Sequence, residues 1–422
     1  MSLQTHQTAS AAAARTSVAP AASPAVSDTG AATGPQLVRR PIPTRAGPMR
    51  VAHLIHTMAY GGVETALINW MKTFDRGAVQ AHLICFANPG ATERPFVDAA
   101  VRAGFATHRV PWSRWKPIWR AARATAAFLR RHDIELLHCH NAYADAVGLL
   151  AARFAPVKTV TTVYVWSEVG AKRQLLQRLD ERLLPYFDQI TAHCEAARED
   201  TVRRGIAHRA AIRLLTCGFT DRVALLTPDD RRRARAALGA SPDDTILINV
   251  ARFWPEKRHD VLIDAFSLLR AREPRVRLWL PGVGPEETRI RELVKARGLD
   301  DAVRFLGFRE DLPELLALAD LQVHASDEEG VPLAILAGMA AGRPIVSTRV
   351  GGIAEVLVDG DSALLVPRRD PAALADAVTY LMTHPACAEA LGASAQRFVE
   401  TDYSLAAATA RVEALYAEVL AR

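Results

Sequence analysis

Two cations follow a predicted buried strand in the stretch "NVARFWPEKRHD", residues 249 to 260. Arg252 and Lys257 flank Pro255, whose fixed backbone angle suits a loop that holds both charges in place. A guanidinium group binds two phosphate oxygens at once and an ammonium group adds a point charge, so the pair suits a phosphate or diphosphate. The alternative is an ordinary solvated loop, because Arg and Lys are mostly exposed.

Paired glycines occupy the ends of two other predicted strands. In "AYGGVETALINW", Gly61 and Gly62 separate a strand from a helix, where the backbone can approach an anion and the helix N-terminus can donate N–H groups to it. Gly282 and Gly284 follow the strand "VRLWLP" in the same way. For Gly61 and Gly62 the alternative is a tight turn. Since the G-x-G-x-x-G fingerprint is absent here, these glycines give no support to hydride-transfer chemistry.

Two carboxylates precede a predicted helix in "SDEEGVPLAILAGMAAGRPIVST", residues 326 to 348. The helix is expected to begin at Pro332 and to end before Gly342. Acids at a helix N-terminus complement its dipole by roughly 0.3–1 kcal/mol, which would explain Glu328 and Glu329 without any ligand. The functional alternative is that Glu329 accepts hydrogen bonds from sugar hydroxyls, with Gly330, Val331 and Pro332 beside it.

Polar side chains also follow two predicted strands in the first half of the chain. His140 and Asn141 come after "LLHC", and Tyr164 comes after "KTVTTV". His138 and His140 lie on one side of their strand and could begin a metal site, with His193 and Cys194 in "AHCE" elsewhere. Without matched ligands we favour no metal, and we expect His140 to line a ligand cleft.

Alternating strands and helices must position these residues. Strands are predicted at VAHLIH, HLICF, ATHRV, LLHC, KTVTTV, QITA and IRLL, and then at TILINV, VRLWLP, VRFLG, LQVHA, PIVST and ALLVP. Short β-branched runs between helical patterns indicate parallel sheets covered on both faces, so the predicted fold is α/β with two doubly wound domains. Ligands bind beyond the carboxyl ends of such strands, where all the candidates fall.

The domain boundaries follow from changes in composition. Residues 1–48 are an Ala/Ser/Pro-rich tail that we predict to be disordered, and Met49 is an alternative start. An N-terminal domain is expected at residues 49–225 and a C-terminal domain at 226–403. The charged stretch "TPDDRRRARAALGASPDD" is predicted to be a linker, with a hinge near residues 220 to 240.

Composition limits the possible classes of protein. Of 422 residues, 50% are hydrophobic and 23% are charged, and no apolar run reaches the roughly 20 residues of a membrane span. Five scattered cysteines favour reduced thiols in the cytoplasm. The net charge of +6 suits an anionic ligand, but no nucleic-acid-binding module is evident. The stretch "PWSRWKPIWRAARATAAFLRRHD" suits either an anionic membrane surface or an ordinary sheet-covering helix.

As a set, several stretches resemble the retaining nucleotide-sugar glycosyltransferases of the GT-B fold, family 4 or group 1. They are "GGVE", "LLHCHN", "VARFWPEKRHDVLIDAF", "LPGVGPEETRIRELV", "VRFLGFREDLPELLALADLQVHAS", "EEGVPLAILAGMAAGRPIVST" and "VGGIAEVLVDGDSALLVP". The resemblance implies two facing Rossmann-like domains and a last helix, residues 404–422, that returns to the first domain.

The resemblance also implies a function. A nucleoside diphosphate sugar would bind mainly to the C-terminal domain, with its phosphates on Arg252 and Lys257 and its sugar on Glu329. A glycan or lipid-linked acceptor would bind to the N-terminal domain, either in the cytoplasm or at the inner face of the membrane. No metal or other cofactor is expected, and cell-surface polysaccharide synthesis is the expected role.

Two departures from the family pattern keep an alternative open, although the retained Arg252, Lys257 and Glu329 favour the enzyme. The family's second glutamate, eight positions after Glu329, is Ala337 here, and a histidine expected after the fifth strand is Tyr164. Tyrosine is a poor base near neutral pH. Glu168 is a less favoured candidate nucleophile. The alternative is a non-catalytic relative that binds sugar nucleotides or glycans as a scaffold.

Overall fold

The computed structural model describes residues 47–57, 60–164, 171–219 and 226–422. Residues 1–46 of the predicted disordered tail lie outside the described residues, as does Glu168. Among the helices that the structure describes, none combines the length and the apolar composition of a membrane span.

A seven-stranded parallel sheet forms the first half of the described chain, with strand order β3-β2-β1-β4-β5-β6-β7. Its strands are β1 (Met49–Ile55), β2 (Val79–Ala87), β3 (Thr107–Pro111), β4 (Leu136–His140), β5 (Lys158–Val163), β6 (Gln189–Ala192) and β7 (Ile212–Leu214). Helices on its two faces are α1 (Gly62–Thr73), α2 (Arg94–Arg102), α3 (Ile118–Arg131), α4 (Ala142–Ala152), α5 (Ala171–Leu183) and α6 (Glu195–Arg203).

A six-stranded parallel sheet follows, with the order β10-β9-β8-β11-β12-β13. Its strands are β8 (Thr245–Ile248), β9 (Val276–Pro281), β10 (Val303–Gly307), β11 (Leu321–His324), β12 (Ile345–Thr348) and β13 (Leu364–Val366). The later helices are α7 (Pro228–Ala237), α8 (His259–Arg272), α9 (Glu287–Ala296), α10 (Leu312–Leu318), α11 (Leu333–Ala340), α12 (Ile353–Val356), α13 (Pro371–Thr383), α14 (Pro385–Asp402) and α15 (Leu405–Leu420).

The predicted α/β fold with two doubly wound sheets is confirmed, and each predicted strand is present within about two residues at most ends. The β-branched runs form strands because both faces of each sheet are buried. The last helix, α15, packs against the first sheet, where Val412, Leu415 and Tyr416 join the core that contains Val51 and Leu83.

The predicted charged linker is wrong in part, because Pro228–Ala237 is a helix. Thr227 caps it by accepting the N–H of Asp230, and Pro228 fits the first helical turn. Arg231 and Arg235 lie against the second domain and form ion pairs with Asp320. The charged residues therefore belong to a helix that partly buried ion pairs anchor to the second domain.

A shared apolar cluster joins the two domains behind the carboxyl ends of their strands. Val163, Ile190 and Ala192 of the first sheet are in the same cluster as Val331 and Ile335, which precede or begin α11. Burying this surface favours a fixed arrangement of the two sheets.

A buried pair of carboxyl groups fixes α5 to α4. Asp145 and Asp180 share a hydrogen bond, and Thr161 donates to Asp145 over 2.7 Å. Burial raises the pKa of Asp180 to about 7 and, with the neighbouring carboxyl, raises that of Asp145 well above its usual range. The pair therefore holds a proton near neutral pH.

We predict that Asp180→Asn makes folding stability less dependent on pH. Because the pKa of Asp180 is higher in the folded than in the unfolded protein, its protonated form contributes its full stabilisation below the unfolded pKa near 4. That stabilisation is lost as pH rises to about 7, at up to about 1.4 kcal/mol per pH unit. Urea unfolding at pH 5 and pH 8 would measure the difference between wild type and variant. Asp376→Asn, an exposed carboxylate, is the matched control, and equal losses in all three proteins would contradict the prediction.

Candidate active site

A cavity of about 750 Å³ lies between the carboxyl edges of the two sheets. Residues from both domains line it, so the cavity depends on how the two sheets face each other. Most of the predicted site residues are among them: Gly61, Gly62, Tyr164, Arg252, Lys257, Gly282, Glu329, Gly330, Val331 and Pro332.

The two predicted cations have different surroundings. Lys257 Nζ lies 2.6 Å from Glu329 Oε1, which also accepts the Ser326 hydroxyl over 2.8 Å. Arg252 forms no salt bridge within the part of the chain that the structure describes. It lies across the cavity against Gly61, and a Cβ added to Gly61 would be 3.4 Å from the Arg252 side chain. Arg252 is thus positioned to offer its charge to an anionic ligand, while Lys257 orients the Glu329 carboxylate.

The glycine loop is stabilised by a glutamate that the site prediction missed. Glu64 accepts the Gly61 N–H over 3.0 Å and the hydroxyl of Thr57. Burial raises the pKa of Glu64, and the charge of Arg252 opposes that rise. The signal was present in "GGVE", because an acid three residues after an N-cap can accept the N-cap N–H, which is the half of a capping box that a glycine N-cap permits.

The two glycines after β9 have separate roles. Gly282 lines the cavity with φ of +149°, and a side chain there would meet the carbonyl oxygen of Ala251 at 1.9 Å. Gly284 is not a lining residue; it packs on the backbone of Phe253, whose carbonyl oxygen would lie 2.4 Å from an added Cβ. The prediction that Gly284 contacts a ligand is therefore corrected to a packing role.

Two residues expected on the acceptor side lie behind the cavity wall. His140 is fully buried, because its side chain faces the core on β4, and Asn141 caps α4 while its amide donates to the carbonyl of His56 over 2.7 Å. Neither lines the cavity. Tyr164 does, and its hydroxyl lies 2.9 Å from Nδ1 of His140. The predicted contacts of His140 and Asn141 with a ligand are corrected accordingly.

His193 connects the two domains at the cavity. Its Nε2 accepts the N–H of Val331 over 3.0 Å, and a Cβ on Gly330 would lie 2.0 Å from its ring. Burial lowers the pKa of His193 to about 4, which keeps Nε2 available as an acceptor. The sequence suggested His193 only as a distant metal ligand, since nothing local indicates a contact 138 residues away.

The position where the resemblance implied a second glutamate is apolar. Ala337 is 4% exposed and lines the cavity from α11. Other acids line the cavity elsewhere, namely Glu256, Glu310 and Glu328. A hydroxyl near Ala337 would therefore find a methyl group in place of a carboxylate.

Comparison with known proteins places this geometry in a family. Residues 244–384 match the model described as glycosyl transferases group 1, and residues 60–222 match that of glycosyltransferase family 4. N-acetyl-alpha-D-glucosaminyl L-malate synthase of Bacillus anthracis is 28% identical over 71% of this chain and 78% of its own. A D-inositol 3-phosphate glycosyltransferase of Saccharomonospora viridis is 30% identical over 62% of this chain and 65% of its own.

Solved structures show the same fold. Anabaena HepE in complex with UDP-glucose has a TM-score of 0.78 and 21% identity, covering 88% of this chain and 100% of HepE. Sucrose-phosphate synthase of Thermosynechococcus elongatus has a TM-score of 0.71 and 22% identity, covering 88% and 99%. The chain has the GT-B fold and belongs to the group 1, or family 4, glycosyltransferases.

We predict that Gly330→Ala destabilises the protein by roughly 1–3 kcal/mol, because the new Cβ overlaps the His193 ring and strains its bond with Val331. Gly62→Ala is the matched control, as it lines the same cavity with nothing within 4 Å of its added Cβ. Thermal unfolding would compare them. A Gly330→Ala protein as stable as Gly62→Ala would show that this contact is not tight.

Proposed function

We propose that this glycosyltransferase moves a hexose-like sugar from a nucleoside diphosphate sugar to a hydroxyl of a glycan or lipid-linked acceptor, with retention at the anomeric carbon. The observation that carries the proposal is the placement of Arg252, free of salt bridges among the described residues, beside the Gly61-Gly62 helix start in the shared cavity. Cell-surface polysaccharide synthesis at the cytoplasmic side of the membrane is the proposed setting.

The chemistry requires stabilisation of a departing diphosphate. Charge accumulates on the phosphate as the bond to the sugar lengthens, and donors fixed before the reaction lower that barrier most. Arg252 supplies a bidentate cation, and the start of α1 supplies backbone N–H groups. Lys257 adds positive charge that its pairing with Glu329 moderates.

The sugar is proposed to bind against Glu329, whose carboxylate is held by Lys257 and Ser326 and can accept from hydroxyls. Burial raises the pKa of Tyr164 well above its usual range, so this side chain stays a neutral phenol and does not serve as a base near neutral pH. A leaving phosphate oxygen is therefore our proposed acceptor for the proton of the attacking hydroxyl.

The nucleotide is the least specified part of the donor. HepE, which shares the fold, binds UDP-glucose, so uridine nucleotides are the first to test. Ala337 leaves a ribose hydroxyl without the carboxylate that the family usually provides, a loss of about 1.5–3 kcal/mol if no other acceptor replaces it. Weak donor binding would fit this site.

Calorimetric titration with UDP, GDP, ADP and their sugar conjugates tests the proposal. We expect one nucleotide class to bind, and Arg252→Ala to weaken it about ten- to a hundredfold through loss of a charged hydrogen bond. Arg272→Ala, which removes an exposed arginine paired with Asp376, is the matched control. Unchanged affinity in Arg252→Ala, or binding of no nucleotide, would contradict the proposal.

We also propose that the N-terminal domain contacts an anionic membrane, where a lipid-linked acceptor would lie. Trp115 is 79% exposed and Trp119 is 54% exposed, and Trp119 contacts Phe154, itself 42% exposed. Arg114 lies over the Trp115 ring at 4.9 Å. Exposed aromatic rings beside cations suit the interface between headgroups and acyl chains.

We predict that the wild-type protein sediments with vesicles that contain anionic lipid and that replacing both Trp115 and Trp119 by Ala weakens this binding about tenfold or more. Tyr380→Ala, which removes an exposed aromatic ring of α13, should leave it unchanged. Absence of wild-type binding at every salt concentration would contradict membrane contact while leaving the donor proposal intact.

A further inference from the structure

Three buried histidines share one face of the first sheet. His53 on β1 pairs in register with His138 on β4, and His140 follows two residues later, so all three side chains point the same way. All are fully buried, and their nitrogen atoms lie within 4.8 Å of one another. Burial lowers the pKa of each, so the rings are neutral and each carries one proton.

The hydrogen bonds of His138 have only one possible direction. The Thr191 hydroxyl donates to the carbonyl of Thr161, so the Thr162 hydroxyl must donate its single proton to Thr191. The Thr162 oxygen then accepts from Nε2–H of His138, 2.7 Å away. Nδ1 of His138 is therefore bare and accepts the hydroxyl of Tyr416 over 2.7 Å.

A second series of hydrogen bonds leads from the core to the cavity, and its donors can run in either of two directions. Nδ1 of His53 lies 3.1 Å from Nε2 of His140, and Nδ1 of His140 lies 2.9 Å from the Tyr164 hydroxyl. If Tyr164 donates inward, the protons pass along the chain and Nε2 of His53 must carry a hydrogen. If the histidines donate outward, both carry the proton on Nδ1, and Tyr164 keeps its own proton for another partner.

The inner end of this hydrogen-bond series, at His53, decides between the two directions. Within the described residues, Nε2 of His53 has no hydrogen-bond partner although it is fully buried. The inward direction would bury an N–H without an acceptor, which native structures avoid more strictly than a bare acceptor. The outward direction leaves only a lone pair unpaired.

We propose that His53 and His140 are positioning residues, both protonated on Nδ1, that direct the Tyr164 hydroxyl proton into the cavity. Tyr164 then donates a hydrogen bond to an oxygen of the bound substrate, and its own oxygen is occupied by His140. This inference rests on the proposed function for the identity of that substrate, but the direction of the chain does not depend on it.

The same cluster could be taken for a metal site, since three neutral imidazoles are suitable ligands. The hydrogen bonds argue against it. Both nitrogens of His138 are used, one by Tyr416 and one by Thr162, so a metal would have to break a buried bond to obtain a lone pair there. The free lone pair of His53 alone is not a site.

Long-range proton–nitrogen NMR of protein labelled with ¹⁵N-histidine measures the tautomers in the free protein. We expect His53 and His140 to carry the proton on Nδ1 and His138 to carry it on Nε2, with no titration of the three between pH 6 and pH 9. Signals are assigned with His53→Phe, or with His53→Asn if the first variant fails to fold. An Nε2–H signal for His53 or His140 would overturn the proposal, whether or not the proposed donor is correct.

Kinetics with the bound nucleotide sugar tests the consequence. His53→Phe should lower kcat/KM about tenfold, and His53→Asn should restore most of it, since the amide can donate where Nδ1–H did. In a Tyr164→Phe background, His53→Phe should cause no further loss. An equal loss in both backgrounds would mean that His53 acts only through stability and would overturn the positioning role.

Discussion

The contact between the His193 ring and the backbone of Gly330 and Val331 is the constraint on which the rest of the site depends. It joins the end of β6 in the first domain to the segment before α11 in the second, over a hydrogen bond of 3.0 Å. A second link lies nearby, where the Glu355 carboxylate accepts the N–H groups of Glu195 and Ala196 at the start of α6, at 2.8 and 2.6 Å. These bonds bring the carboxyl edges of both sheets to one cavity.

The distribution of charge follows from that arrangement. Lys257 and Glu329 belong to one domain and neutralise each other in part, so neither depends on the opposite wall. Arg252 instead reaches toward the glycine loop, where Glu64 is buried behind the backbone and faces away from a ligand. A diphosphate between Arg252 and the start of α1 would contact both domains.

Residues behind the cavity wall hold Tyr164, which stands where the resemblance to the family implied a histidine. Tyr164 is neutral and cannot supply a positive charge, but its hydroxyl is held by the buried ring of His140. The histidine chain also lies beside Tyr416 of the last helix, so α15 packs on the same core that supports the cavity. Site geometry and the C-terminal helix therefore depend on the same cluster.

The sequence by itself determined the order of strands and helices, since burial on both faces requires the β-branched runs that it contains. It also determined which residues follow the strands, and so placed Arg252, Lys257, Gly61 and Glu329 at the sheet edges. A local motif, "GGVE", even contained the cap formed by Glu64, although its role in the site was not inferred.

Only the tertiary structure decided which of those residues face the cavity. His140 ends a strand and Asn141 follows it, as expected, but the His140 side chain points into the core and Asn141 caps a helix. Which face of a strand is buried depends on how the helices pack on the sheet. The charged stretch after residue 226 has a local cap at Thr227, but its packing against the second domain depends on Asp320, about 90 residues later, which pairs with its arginines. His193 acquired its role from Val331, 138 residues away, and a separation of that kind leaves no local pattern in the sequence.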